Sequence, residues 1–201
     1  MGEQEKFVVV YLDNITMFSK TDEEHILHLK LTFEKRKRYG LSLNLKKSQF
    51  ALSEGKLLGH IVAQEGVKID HERVKTIKFI PLPRSKKEVH AFLGRINFLR
   101  RFIPNYVEIV KGITNMLKKE NEVKWSSIPC DSFTRIKEDL VKAPVLVHPN
   151  YSMPFYIFSF ASLHTIVVML LQKNKEGYKQ AISFFSQVLR DAKLKYDILE
   201  K

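Results

Sequence analysis

The sequence predicts an α+β fold whose strands are antiparallel. Strand-like runs surround a turn near the start of the chain, and three more follow one another at 155–161, 166–172 and 181–187. Between these two regions, capping signals and apolar residues at helical spacing predict several helices. The 201 residues suffice for one large domain or two small ones, each with its own apolar core.

The segment FVVVYLDNITMFSK predicts a β-hairpin. Residues 7–12 and 15–19 are rich in β-branched side chains, as strands are. Asp13 and Asn14 lie between them, and both residue types tolerate the left-handed backbone of a tight turn. On this interpretation alone, Asp13 is a turn residue.

A helix should follow this hairpin. Thr21 and Glu24 have the spacing of a capping box, and Gly40 is of the residue type that commonly ends a helix. The LSLNL run at 41–45 then alternates as a strand does. Two further short strands are expected on either side of a turn at 53–55.

The middle of the chain is predicted to be mostly helical. The DHERVKTIKFI segment should form a helix that the prolines of PLPRS end. Ser85 and Glu88 form a second capping box and begin the next helix. The apolar face of that helix comprises Val89, Phe92, Leu93, Ile96 and Leu99. A third helix is expected at 105–119, a short one before Pro144, and a turn at Gly177 between the last two strands.

Charge and composition narrow the function classes. The chain carries 34 Lys and Arg against 22 Asp and Glu, a formal net charge of +12. This excess indicates a polyanionic partner, although a solvated basic surface without a partner would give the same count. A single cysteine, Cys130, excludes an internal disulfide and a multi-cysteine zinc site. Without a signal-peptide pattern or a membrane-spanning apolar run, we expect an intracellular protein, cytoplasmic or nuclear, that is neither secreted nor in a membrane.

Two clusters leave alternatives open. His25 and His28 lie one helical turn apart and could share a metal ion, but no third ligand is evident, which favours a solvated pair. The EKRKR run at 34–38 suits either nucleic acid or the negative end of a helix dipole.

Several motifs resemble one family. A strand, Tyr11-Leu12-Asp13-Asn14, a second strand and a capped helix are similar in order to motif C of reverse transcriptases. The segments YGLSLNLKKSQF, KLLGHIVAQEGVKID, KKEVHAFLGRINFLRRFIPNY and KAPVLVHPNY follow in the order seen in retrotransposon polyproteins. The chain thus resembles a gypsy-type reverse transcriptase followed by the start of its RNase H domain. This implies partial palm hairpins at 1–66, a helical thumb at 67–128 and a truncated RNase H-like antiparallel sheet at 129–201.

The resemblance also implies where catalytic groups belong. Tyr11 and Asp13 occupy the catalytic hairpin, where the family holds two Mg²⁺ or Mn²⁺ ions with carboxylates. Asn14 stands where the family usually has a second aspartate, so the position is degenerate and Asp13 is expected to bind metal weakly or not at all. Phe160 stands where the family has its first RNase H aspartate, and we expect its ring to pack in the core.

Nucleic-acid contacts follow from the same resemblance. Leu58, Gly59 and His60 correspond to the primer-gripping hairpin, although a bulged strand with a satisfied histidine would also explain this sequence. Gly94 and Asn97 on the thumb helix could allow close approach to a groove, or Gly94 could serve helix packing. The candidate phosphate contacts are Lys86, Lys87, Arg95, Arg100 and Arg101.

The functional hypothesis is a reverse transcriptase and RNase H fragment that binds an RNA/DNA template–primer duplex. It is expected to be catalytically incompetent alone, because the motif that carries the other polymerase aspartate is absent from these residues. The alternative is a working part of a longer or complemented Pol polyprotein. A decayed, poorly folding product is the third possibility.

Overall fold

The computed structural model describes residues 7–11 and 14–189. The chain divides into two compact units, one ending at Leu52 and the other beginning at Ser53. Helices and three separate antiparallel sheets make up the described residues, which confirms the predicted α+β class. No helix in this described part is long and apolar enough to cross a membrane.

The first unit begins with a hairpin of β1 (Val8–Tyr11) and β2 (Asn14–Met17). Tyr11 pairs directly with Asn14, so Asn14 is the first residue of β2. The sequence analysis had placed Asn14 in the turn, and this prediction was wrong. Leu12 and Asp13 lie outside the described residues. Asp13 therefore stays a prediction, both as a turn residue and as a metal ligand.

Both predicted ends of helix α1 (Asp22–Arg38) are confirmed. The hydroxyl of Thr21 accepts a hydrogen bond from the Glu24 amide at 3.2 Å. At the other end Gly40 adopts a φ of 64°, and the Leu41 amide donates to the Arg36 carbonyl at 3.0 Å. This is the Schellman arrangement, which satisfies carbonyls that the helix leaves unpaired.

The strand predicted at 41–45 is absent. Around Asn44 the chain turns instead, because the Asn44 side chain accepts from the Lys46 amide and its carbonyl accepts from the Lys47 amide. An asparagine that bonds its own backbone in this way competes with strand formation. Alternation of apolar residues also needs a buried face, and both Leu41 and Leu45 are exposed.

The second unit opens with a three-stranded meander of β3 (Glu54–Leu57), β4 (His60–Ala63) and β5 (Gly66–Ile69). The first turn lies at residues 58–59, since Leu57 pairs with His60. The prediction of a turn at 53–55 was therefore wrong.

Helices build the middle of this unit. They are α2 (His71–Lys78), α3 (Lys86–Asn97), a 3₁₀ turn at Arg100–Phe102, α4 (Tyr106–Ile109), α5 (Lys111–Asn115) and α6 (Ser127–Val141). The single helix predicted at 105–119 is thus two short ones. The interruption falls at Val110, whose ψ of 0° departs from the helical value.

The core of the second unit confirms the predicted apolar face of α3. The Ser85 hydroxyl caps this helix by accepting from the Glu88 amide at 3.3 Å. Four of the five predicted face residues are buried, and Leu93 is half-buried. Phe133, Ile136 and Leu140 of α6 join the same core.

A second meander completes the unit, with β6 (Tyr156–Ala161), β7 (Thr165–Lys173) and β8 (Lys179–Val188) in that spatial order. Gly177 turns the chain between β7 and β8 with a φ of 88°, as predicted. Strand β8 faces the helices, because the Ser186 hydroxyl accepts from the Val107 amide of α4 and Phe184 is buried. Strand β6 is the far edge of this sheet.

Candidate nucleic-acid interface

The β3–β4 turn is strained and exposed. Leu58 and Gly59 have φ values of 50° and 78°, the left-handed pair that suits a two-residue hairpin. Leucine pays about 1–2 kcal/mol for this conformation, and its side chain is 48% exposed. Strain of this kind concentrates at functional sites, so the turn is a candidate contact surface.

A second feature favours glycine at position 59. A Cβ atom there would lie 3.1 Å from a guanidinium nitrogen of Arg73 and 3.2 Å from the ring of Phe98. The backbone of the turn therefore lies directly against side chains from α2 and the end of α3. This is a close approach between parts of the protein, and it fixes the turn on the helical core.

His60 continues this contact. Its imidazole stacks on Phe98 with ring centroids 4.5 Å apart and lies 5.4 Å from the ring of Phe102. Burial lowers the pKa of His60, and the nearby charges of Arg101 and Arg73 lower it further. The lowered pKa favours the neutral imidazole, which packs against the two aromatic rings.

The LLGH segment, at residues 57–60, differs from the bulged strand that the sequence analysis offered as an alternative. The strand is not bulged at this point, because pairing runs in register from Glu54 to Leu57. The Nδ1 atom of the histidine is buried without a hydrogen-bond partner among the described residues.

Sequence reasoning missed Arg73 and Phe98. The guanidinium of Arg73 lies 4.5 Å from the centroid of the Phe98 ring, a cation–π contact. One signal was available, because Phe98, the residue after α3, continues the polar side that carries Ala91 and Gly94, where an aromatic residue is unexpected.

The exposed side of α3 is flat at its centre. Ala91, Gly94 and Asn97 are all exposed, and a Cβ atom added to Gly94 would meet nothing within 4 Å. Gly94 is therefore not needed for helix packing. Its lack of a side chain leaves the backbone open to a large ligand.

The predicted phosphate contacts differ in their surroundings. Lys86 donates to the backbone carbonyls of Lys118 and Lys119 at 2.8 and 3.2 Å, so it is occupied in holding the end of another segment. The other four predicted phosphate contacts are exposed and form no ion pair within residues 7–11 and 14–189. These four, called the α3 basic face below, are Lys87, Arg95, Arg100 and Arg101.

The other charged clusters have local partners. The Ser19 hydroxyl lies 2.7 Å from Nδ1 of His28 and 3.3 Å from Nδ1 of His25, within hydrogen-bond distance of both rings. In the EKRKR run, Arg36 donates to the Leu41 carbonyl at 2.8 Å, next to the carbonyl end of α1. That contact favours the helix-end interpretation.

Phe160 is exposed, contrary to the expectation that its ring packs in the core. Phe160 pairs with Val167 in the sheet and is 59% exposed, so its ring does not pack in the core. The reason is its place on β6, the edge strand farthest from the helices.

The β1–β2 hairpin offers few metal ligands. Asn14 supplies an uncharged amide beside Asp13, and two-metal centres need carboxylates that neutralise both ions. Within residues 7–11 and 14–189, no three His, Cys, Asp or Glu side chains come together to hold a metal ion. The donor set on these residues does not fit a two-metal centre.

Two family models match this chain. Residues 2–62 match "Reverse transcriptase (RNA-dependent DNA polymerase)", and residues 125–201 match "RNase H-like domain found in reverse transcriptase". Both families use divalent metal ions in general. The two matches agree with the resemblance that the motifs indicated.

Similar proteins point the same way. The Pol polyprotein from transposon 297 of Drosophila melanogaster is 35% identical over 98% of this chain, and the Tf2-7 polyprotein of Schizosaccharomyces pombe is 31% identical over all of it. The chain spans only 18% and 15% of these relatives.

Two solved structures are similar over 96% of this chain. The foamy viral protease-reverse transcriptase dRH in complex with double-stranded DNA has a TM-score of 0.84 at 31% identity. The foamy viral protease-reverse transcriptase in complex with an RNA/DNA hybrid has a TM-score of 0.82 at 30% identity. The chain covers 34% and 26% of those two proteins.

Proposed function

We propose that this chain, which belongs to the reverse transcriptase family of retrotransposon Pol polyproteins, binds the backbone of an RNA/DNA template–primer duplex without reading its sequence. The observation that carries the proposal is the α3 basic face, four exposed cations without ion pairs in the described part of the chain, beside a helix surface that Gly94 leaves open. The similar foamy viral structures contain duplexes of both kinds.

The chemistry of this face suits phosphates better than base edges. Arginine and lysine contacts to phosphate position a duplex and carry no sequence information. Lys87 and Arg95 lie about 12 Å apart along the helix axis at 1.5 Å per residue, so they reach different phosphates. A hybrid duplex has a wide, shallow minor groove, which a flat helix surface can approach.

The β3–β4 turn is the second part of the proposed interface. Leu58 and Gly59 supply an exposed tip whose backbone the packing against Arg73 and Phe98 holds in place. His60 contributes this rigidity, and Arg101 supplies the nearby positive charge. We assign the primer-gripping role to this turn on the basis of family resemblance.

Binding without catalysis is the proposal for the chain by itself. Asn14 in the polymerase hairpin and Phe160 in the RNase H-like sheet each replace a carboxylate that the family uses to hold Mg²⁺ or Mn²⁺. The second candidate is a working part of a longer or complemented polyprotein. The small share of the transposon polyproteins that this chain spans favours that candidate.

The test is a salt titration of duplex binding by fluorescence anisotropy. Four phosphate contacts should give a log–log slope near about −3.6 on B-form DNA, and replacing Arg95, Arg100 and Arg101 with Gln should reduce it to about −0.9. The control variant carries the same charge change at Lys124, Lys142 and Lys175. Salt-independent binding would reject the proposal. An equal reduction of the salt slope in the control variant would mean that the duplex binds the basic surface in general and not the α3 basic face.

Primer extension on an RNA template separates the two candidates. The parent chain alone should give no product. Extension only after addition of the preceding segment of a related polyprotein would support the complemented enzyme.

A further inference from the structure

Strand β6 presents a row of aromatic rings. Tyr156, Phe158 and Phe160 share one face of the strand because side chains alternate between the two faces. Phe160 is 59% exposed, and the other two rings are half-buried. The row lies on the edge strand, separated by β7 from the strand that packs on the helices.

Two lysines lie over these rings. The ammonium of Lys179 is 4.3 Å from the centroid of Phe158 and 5.9 Å from that of Tyr156, and the ammonium of Lys173 is 5.2 Å from Tyr156. Lys173 and Lys179 pair across β7 and β8, and both are exposed. Two cations, two half-buried rings and one exposed ring therefore lie on one surface. This surface, called the β6 strip, comprises Tyr156, Phe158, Phe160, Lys173 and Lys179.

We propose that the β6 strip binds single-stranded nucleic acid, with bases stacked on the aromatic rings and phosphates paired with the two lysines. Every base has a π-face, so a row of rings binds a strand with little regard to its sequence. Paired bases in a duplex are already stacked on one another and cannot use the rings in this way. The site and its ligand thus differ from those of the α3 basic face.

The chemistry of position 160 supports this ligand. By family resemblance a carboxylate would stand there, and its negative charge would repel phosphates unless a metal ion were bound. Phe160 removes that charge and adds a stacking surface. The lysines add positive charge to a chain whose formal net charge is already +12.

A matched set of variants at Phe160 tests stacking. Binding of a labelled homopyrimidine strand is measured by fluorescence anisotropy. Phe160→Leu, which keeps an apolar side chain but no ring, should weaken binding about tenfold, whereas Phe160→Tyr should bind like the parent. Phe79→Ala is the control, because Phe79 is 72% exposed at the end of α2. Circular dichroism confirms that each variant is folded.

The lysines are tested by salt dependence. Replacing Lys173 and Lys179 with Gln should reduce the log–log slope on the single strand by about 1.4. Lys142→Gln should leave that slope unchanged. Neither change should alter the salt slope that is measured with a duplex.

Three results would overturn the proposal. The first is equal binding of the single strand by Phe160→Leu and Phe160→Tyr. The second is competition by polyglutamate that equals competition by an unlabelled strand. The third is loss of single-strand binding as complete as the loss of duplex binding in the variant at Arg95, Arg100 and Arg101. Loss of duplex binding alone in that arginine variant leaves this inference intact. The two proposals can therefore fail separately.

Discussion

The imidazole of His60 stacks on the ring of Phe98, with centroids 4.5 Å apart and planes 13° from parallel. The two residues are far apart in the sequence, so this contact joins the β3–β4 turn to the end of α3. Arg73 contacts the same ring from α2. Three elements thus meet at Phe98, and the geometry of the candidate interface depends on their packing.

The stack predicts a pH-dependent stability. The lowered pKa of His60 means that the unfolded chain, with a histidine pKa near 6.5, takes up the proton first as pH falls. The free energy of unfolding should therefore decrease below about pH 6.5 and level off once the folded-state pKa is passed. Protonation is opposed by burial and by Arg101 and Arg73.

Denaturant titrations at several pH values measure this effect. His60→Phe keeps a stacked ring without a titrating group, so its stability should vary less with pH than that of the parent. His90→Gln, at an exposed site on α3, serves as the control and should retain the parent's dependence. Identical profiles for the His60 variant and the parent would contradict the prediction.

Two glycines should respond oppositely to alanine. Gly59→Ala should lower the free energy of unfolding by about 1–3 kcal/mol, because its φ of 78° is strained for alanine and the side chains of Arg73 and Phe98 leave little room for a Cβ atom. Gly94→Ala should raise it by about 1 kcal/mol, since the site is helical and open. Urea unfolding of both variants provides the comparison. The same sign for both would show that one local environment is misassigned.

Local signals made the helix ends predictable from sequence. Thr21, Ser85 and Gly40 each act on amides or carbonyls within one turn, so their roles need no knowledge of the tertiary fold. The turn at Leu58 was not predictable in this way, because leucine disfavours the left-handed region. The β3–β4 turn is stabilised instead by the tertiary contact of Gly59 with Phe98.

The candidate site was predictable in type but not in detail. Basic residues near α3 could be identified from the sequence. The different roles of Lys86 and Lys87 could not, because they depend on the position of the carbonyls of residues 118–119, to which Lys86 donates. The exposure of Phe160 likewise depends on which strand is at the edge of the sheet. Such contacts join residues that are far apart in the sequence, so no local sequence pattern predicts them.

Adjacent lysines should therefore behave differently. Lys86→Gln should cost about 0.5–1.5 kcal/mol of stability, because it removes hydrogen bonds to two carbonyls, and should leave the salt slope of duplex binding unchanged. Lys87→Gln should leave stability within about 0.5 kcal/mol of the parent and reduce the slope by about 0.9. Thermal melts and anisotropy titrations measure the two properties. A reversed pattern would exchange the assigned roles.

The β1–β2 hairpin gives a metal-dependent prediction. Asn14→Asp places two carboxylates side by side in the sequence, and their mutual repulsion disfavours ionisation of both. Added Mg²⁺ or Mn²⁺ should therefore raise the melting temperature of this variant slightly more than that of the parent. Sodium chloride at equal ionic strength is the control. Equal shifts for variant and parent would mean that no metal binds between the carboxylates.

A carboxylate introduced at position 160 should cost little stability and should not give RNase H activity. Phe160 is 59% exposed, so Phe160→Asp leaves the new charge hydrated and should cost less than about 1 kcal/mol, the range of strand propensities. Phe184→Asp in the same sheet is the contrasting variant, since it buries an unpaired charge at an 8% exposed site and should prevent stable folding. The folded Phe160→Asp chain should still not cleave a labelled RNA/DNA hybrid in Mg²⁺, because one carboxylate does not assemble a two-metal centre. Cleavage by Phe160→Asp but not by the parent would show that the remaining ligands are already in place in this chain.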